Sequence, residues 1–119
     1  MTTPADRPLR LRVKRHGDSA AVVKVCGSVS ISEADRLREQ LEALAAERVP
    51  VIILDLSEMD FICSLGLGAI ITGHLKCRHH RGQIKLVRPV PQVRELLETT
   101  RLTKLFGVYE SVETALSEA

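Results

Sequence analysis

"VIILDLSEMDFICSLGLGAI", residues 51–70, joins an unbroken apolar run to a glycine-rich tail through a short polar interval. Val51 to Leu54 is apolar at every position, the pattern of a strand covered on both faces, so helices are expected on both sides of its sheet. Such a strand belongs near the sheet's centre. Ser64 then stands between Cys63 and two glycines, at or near the N-cap of a following helix, where a serine hydroxyl ordinarily accepts a backbone N–H worth about 1 kcal/mol. Gly66 and Gly68 fall in the first turns, where each costs about 1 kcal/mol relative to alanine. Helix propensity does not explain them. Gly66, Ala69, Gly73 and Cys77 form a stripe of small residues that lets another backbone come close, either the sheet beneath or a partner protein.

Upstream, "LRLRVKR" (9–15) alternates Leu9, Leu11 and Val13 with Arg10, Arg12 and Lys14, the period of a half-buried strand whose charged face suits a sheet edge. His16-Gly17-Asp18-Ser19 reads as a turn, and "AAVVKVCG" (20–27) as the antiparallel return strand. "SEADRLREQLEALAAE" (32–47) opens with Ser32 and Asp35 in capping-box spacing and sets Ala34, Leu37, Leu41 and Leu44 along one helical stripe.

Downstream, a helix is expected over Gly66 to Arg81, with Leu67, Ile70, Ile71, His74 and Leu75 on its apolar face and Gly82 ending it. "QIKLV" (83–87) is a further strand, reached by a right-handed parallel crossover. Pro89 and Pro91 lead into "QVRELLETTRL" (92–102), with Val93, Leu96 and Leu97 inward. A short "GVY" strand and a last helix from Ser111, with Val112, Ala115 and Leu116 as its apolar residues, complete the pattern. The expectation is one α/β domain over residues 9–119 behind a loose tail at 1–8. Its mixed sheet has four to five strands, with an antiparallel N-terminal hairpin and a parallel centre, and about four helices pack on it.

The 119 residues are 45% hydrophobic, enough for a single core without staples. Seventeen basic against 15 acidic residues is too even a balance to demand a nucleic acid or an anionic membrane, and 3% aromatics offer no stacking platform for single strands. The N-terminal arginines read as a solvated strand face. Cys26, Cys63 and Cys77 lack CxxC spacing and fit free thiols in a reducing cytoplasm. The N-terminus has no apolar h-region, and no apolar run approaches the roughly 18 residues that span a bilayer, so a soluble cytoplasmic protein is expected.

"HLKCRHHRG" (74–82) gathers His74, Cys77, His79 and His80, but adjacent His79 and His80 cannot share one helical face, and the order fits no zinc spacing. No metal is expected. Asp55 ends an apolar strand, as the phosphoryl-accepting aspartate of a receiver domain does, yet the acidic pair and lysine that such a site needs are missing. No nucleophile–base motif or phosphate-binding loop is present, so neither catalysis nor a cofactor is expected.

The 51–70 stretch resembles the signature of the STAS domain, the family of bacterial anti-sigma-factor antagonists and of the cytoplasmic tails of sulfate transporters. Leu54-Asp55-Leu56, Phe61, Ser64 and Gly66-Leu67-Gly68 match its pattern in order and spacing. "IKLVRPVPQVRELLETTRLTKLFGVYESVETAL" (84–116) is similar to the family's later strand, helix, turn and final helix, so the likeness runs from about Leu9 to Leu116. The resemblance implies a switch in which a partner that is both kinase and anti-sigma factor phosphorylates Ser64, and only the unphosphorylated form binds that partner. It implies a contact surface of Ser30, Cys63, Ser64, Leu65, Gly66, Leu67 and Gly68. The family usually carries aspartate where this chain has Cys63, and Gly-Glu-Leu-Asp where it has Gly27-Ser28-Val29-Ser30. Both acidic neighbours of the serine are replaced. A scaffold subunit of a sensory complex that does not switch, or a small nucleotide-binding module, is therefore the alternative, and weak homo-oligomerisation stays open.

Overall fold

The computed structural model describes residues 8–117; the expected tail falls almost wholly outside them. The chain runs β1 (Arg10–His16), β2 (Ala20–Val29), α1 (Ala34–Ala46), β3 (Val51–Ile62), α2 (Ser64–Arg78), β4 (Gln83–Val87), α3 (Pro91–Thr99), a 3-10 turn (Leu102–Lys104), β5 (Gly107–Tyr109) and α4 (Val112–Ser117). The strands lie in the order β1-β2-β3-β4-β5, and only β1–β2 is antiparallel. Gly17, with φ of 61°, makes the tight reversal between them. β3 is central, as its unbroken apolar start requires.

The two faces are covered unequally. On one, α1, α2 and α3 bury Val23, Val25, Ile52, Leu54, Ile84 and Leu86 beneath Leu37, Leu41 and Leu44. Each fully buried side chain of this size contributes about 1.5–3 kcal/mol. On the other, α4 alone packs Ala115 over Val22, Ile53 and Val87. Lys85 is buried in this second layer because its Nζ donates to the Ala115 carbonyl at 2.8 Å and lies 5.0 Å from the centre of the Tyr109 ring. A lysine within a buried strand is thus satisfied by a helix end and an aromatic face.

Several local expectations are corrected. The capping box does not form: Glu33 is the N-cap of α1 without a side-chain capping bond, and the Ser32 hydroxyl turns to that of Ser30 at 3.1 Å. α2 starts at Ser64 and ends at Arg78, not at Gly66 and Arg81. Its stop is made by Arg81, whose φ of 65° is left-handed, with Gly82 N–H donating to the Cys77 carbonyl at 2.7 Å. Gly82 is needed for close approach, since a Cβ there would meet the Pro50 carbonyl oxygen at 2.9 Å. Leu75 and Leu116 are exposed rather than packed. The last helix begins at Val112, and Ser111, expected as its first residue, instead caps it by accepting the Thr114 N–H at 3.0 Å.

Candidate functional site

The site is built by the far end of β3. β3 does not stop with its apolar start; it continues through the polar interval "SEMDFI" to Ile62. Its pairing with β2 slips twice: Lys24 opposes Asp55 but Cys26 opposes Glu58, and Gly27 opposes Met59 but Ser28 opposes Phe61. Each slip puts one extra residue into β3, a bulge that bends the strand. The result sets Cys63 beside the end of β2, its N–H donating to the Val29 carbonyl at 2.9 Å, and so brings Ser30 and Cys63 together.

Cys63, with φ −82° and ψ 170°, is the N-cap of α2, and its thiol makes no capping bond. Ser64 is the first helical residue, so the expected capping role of its hydroxyl is not realised. The hydroxyl is exposed and makes no hydrogen bond to the described residues. The N–H groups of Ser64, Leu65 and Gly66 open the helix without intrahelical acceptors, and no acidic side chain lies in the first turn to offset their partial positive charge.

The other expected contact residues divide between the two sides of α2. Gly66 is buried, and a Cβ on it would lie 2.7 Å from Ile62 Cγ1 and from Val29 Cγ1. A Cβ on Gly73 would lie 3.2 Å from Leu41 Cβ, and Ala69 and Cys77 are also buried, so the small-residue stripe serves packing within the chain. Leu67 is partly buried against the core. Facing outward are Leu65, 58% exposed, and Gly68, where an added Cβ meets nothing within 4 Å. A shallow groove of about 240 Å³ runs between α1 and α2, lined by Asp35, Arg38, Ser64, Leu65, Gly68 and Thr72 among others.

Sequence reading missed Asp35, Arg38 and Thr72, which α1 and α2 bring to the serine only through packing. It also missed Ile31, next to Ser30 and 72% exposed. An isoleucine inside the polar "SVSISE" that belongs to no apolar stripe was the available signal. Asp35 pairs with Arg38 at 3.1 Å, so an acidic and a basic group both stand at the groove that holds Ser64.

The remaining candidates have structural uses. His74 Nδ1 accepts the Ile84 N–H at 3.1 Å, and its ring meets Phe106 edge-on at 5.0 Å. Burial, with a smaller contribution from Arg78, holds this imidazole below its ordinary pKa, while burial pushes the Cys77 thiol up. The Asp55 Oδ1 accepts both the N–H and the hydroxyl of Ser57, at 3.0 and 2.7 Å. Among the described residues no group of three or more His, Cys, Asp or Glu side chains is placed to hold a metal, and no helix is long and apolar enough to cross a membrane.

Known proteins resemble this chain in sequence and fold. The anti-sigma F factor antagonist of Paenibacillus polymyxa is 27% identical over 104 residues, 87% of this chain and 89% of that one. The crystal structure of an anti-sigma factor antagonist from Mycobacterium paratuberculosis superposes with a TM-score of 0.84 at 26% identity, covering 98% of this chain and 97% of its own. The Bacillus cell fate determinant SpoIIAA in its phosphorylated form shares the fold, with a TM-score of 0.74 at 16% identity over 90% and 96% of the two chains. Residues 11–115 match the STAS domain as a family, and with the strand order, the Ser64 helix start and the two glycines in place, the chain belongs to the STAS domain family.

Proposed function

We propose that residues 9–119 act as an anti-sigma-factor-antagonist-like regulatory domain that works by binding and not by catalysis. Its partner is a kinase-type anti-sigma factor, and Ser64 is the residue at which phosphorylation ends the contact. The observation that carries this reading is the free, exposed Ser64 hydroxyl on the first turn of α2, one turn from the open space at Gly68. A hydroxyl engaged in capping would be shielded from a kinase; this one is not. Gly68 leaves the helix surface flat there, and Leu65 and Ile31 add apolar area of the kind that anchors an interface.

Phosphorylation would add about −1.5 to −2 charges and three acceptor oxygens beside the unpaired N–H groups of α2. Within the chain that charge is tolerated. A partner packed against Leu65 and Gly68 would have to desolvate it, so docking is lost while the fold stays intact. Asp35 supplies an acidic group at the groove that holds Ser64, in a chain where Cys63 and Ser30 replace the family's aspartates, which favours the switching antagonist over the scaffold that does not switch.

The test is affinity capture from native lysate with wild type and Ser64→Asp as baits, followed by incubation of the captured partner with ATP and mapping of phosphate on the chain. Retention of a kinase-type anti-sigma factor by wild type alone, with phosphate on Ser64, is expected. If both baits hold the same assembly and Ser64 gains no phosphate, the scaffold reading replaces the switch.

A further inference from the structure

α4 spans six residues and covers only part of its side of the sheet. Among the described residues, the rest of that side, formed by β1, β2 and the adjoining part of β3, presents mostly charged side chains. The register sets Arg10 opposite Cys26, Arg12 opposite Lys24 and Lys14 opposite Val22, and residues directly opposite one another project to the same face. Val22 belongs to the layer under α4, so all of these lie on the face turned away from α2. Arg10, Arg12 and Lys24, with Pro8, Cys26 and Glu58, line a recess of about 390 Å³.

Glu58 and Asp55, two carboxylates near the recess, are already engaged. Glu58 Oε2 lies 2.6 Å from Lys24 Nζ, and Asp55 is held by Ser57. Among the described residues no carboxylate lies within salt-bridge distance of Arg10, Arg12 or Lys14. Arg12 stands directly opposite Lys24, and Glu58, which pairs with Lys24 and also reaches Arg12 electrostatically, is one acidic group against three basic ones among the described residues that line the recess. Solvating the face does not require one sign of charge.

Spacing narrows the choice of occupant. Alternate residues of a strand repeat every 6.6 Å or so, and any extended chain shares that repeat. A segment with an acidic side chain at every second position, laid along β1, meets Arg10, Arg12 and Lys14 in turn. A compact anion reaches only the recess. We propose that this face docks an extended acidic segment of a protein partner, independently of the Ser64 edge on the other side of the sheet.

The probe is a fluorescein-labelled peptide of alternating glutamate and serine, titrated with the full chain and followed by anisotropy at low and moderate salt. Saturable binding that weakens with salt is expected, with at least about a tenfold loss in the triple variant Arg10→Glu, Arg12→Glu, Lys14→Glu. The triple glutamine variant should fall between the two, all three chains should remain folded with cooperative melts, and Ser64→Asp should bind the peptide as wild type does. The proposal is overturned if no saturable binding occurs, or if a peptide of equal charge with its glutamates in one block binds as tightly. Displacement of the peptide by inorganic pyrophosphate at comparable concentration would instead assign a compact-anion site, and loss of binding in Ser64→Asp would merge this surface with the docking edge.

Discussion

The inward and outward sides of α2 carry the same residue types for opposite reasons. Gly66 and Gly68 stand two residues apart and are indistinguishable by helix propensity. Gly66 lies against Ile62 and Val29 so closely that no side chain fits, whereas Gly68 faces open space and gains nothing from being glycine within the chain. A glycine that costs stability and packs against nothing points to a requirement outside the folded monomer. Gly66 is explained by the fold, and Gly68 by the proposed partner.

The contrast is open to direct test, beginning with its strongest consequence. Gly66→Val forces its side chain into Ile62 and Val29, and urea denaturation should show a loss of about 2–3 kcal/mol, at the upper range for overpacking. A loss below about 0.5 kcal/mol would mean that the helix shifts freely and that Gly66 is not set by packing. Cys63→Asp supplies the missing side-chain cap at a residue that already has N-cap geometry, and should raise stability by about 1 kcal/mol. Gly68→Ala should also raise stability, by about 0.5–1 kcal/mol, because only helix propensity is at stake. Destabilisation by this substitution would show that Gly68 has an internal role and would erase the distinction between the two sides.

A fourth expectation concerns the inward side alone and is read as a slope. With the folded His74 imidazole held below its ordinary value of 6.5, the unfolded chain takes up a proton there before the folded chain does. Stability from this group is complete above that pH and declines as pH falls through it. Protonating Nδ1 also removes the acceptor of the Ile84 N–H. Urea midpoints between about pH 7.5 and 5 should fall in wild type and fall less steeply in His74→Leu; parallel slopes would remove His74 as the source.

What the sequence made legible follows from which interactions are local. β3 announced its central place because Val51–Leu54 has no polar face to offer solvent, and the α1 stripe of Leu37, Leu41 and Leu44 required only helical periodicity. The turn at His16–Ser19 was equally local. The extension of β3 through "SEMDFI" was not legible, because those residues alternate poorly and are held as a strand by pairing with β2 through two bulges. The Schellman-type stop at Arg81 was missed because an arginine was not expected to take the left-handed conformation. At the candidate site, Ser64, Cys63 and the glycines could be picked out from one segment, but the groove's other wall could not. Asp35 and Arg38 are about thirty residues away and reach Ser64 only because α1 packs on α2.

The most direct test of the outward side is a calorimetric titration of a purified kinase-type anti-sigma factor, captured by the wild-type chain, into wild type and Gly68→Gln. The added side chain meets nothing within the chain, so melting temperature should be unchanged or slightly higher, while affinity should fall by at least about tenfold because it projects into the docked partner. Equal affinity for the two chains, with both folded, would contradict the account and move the interface away from the Ser64 face of α2.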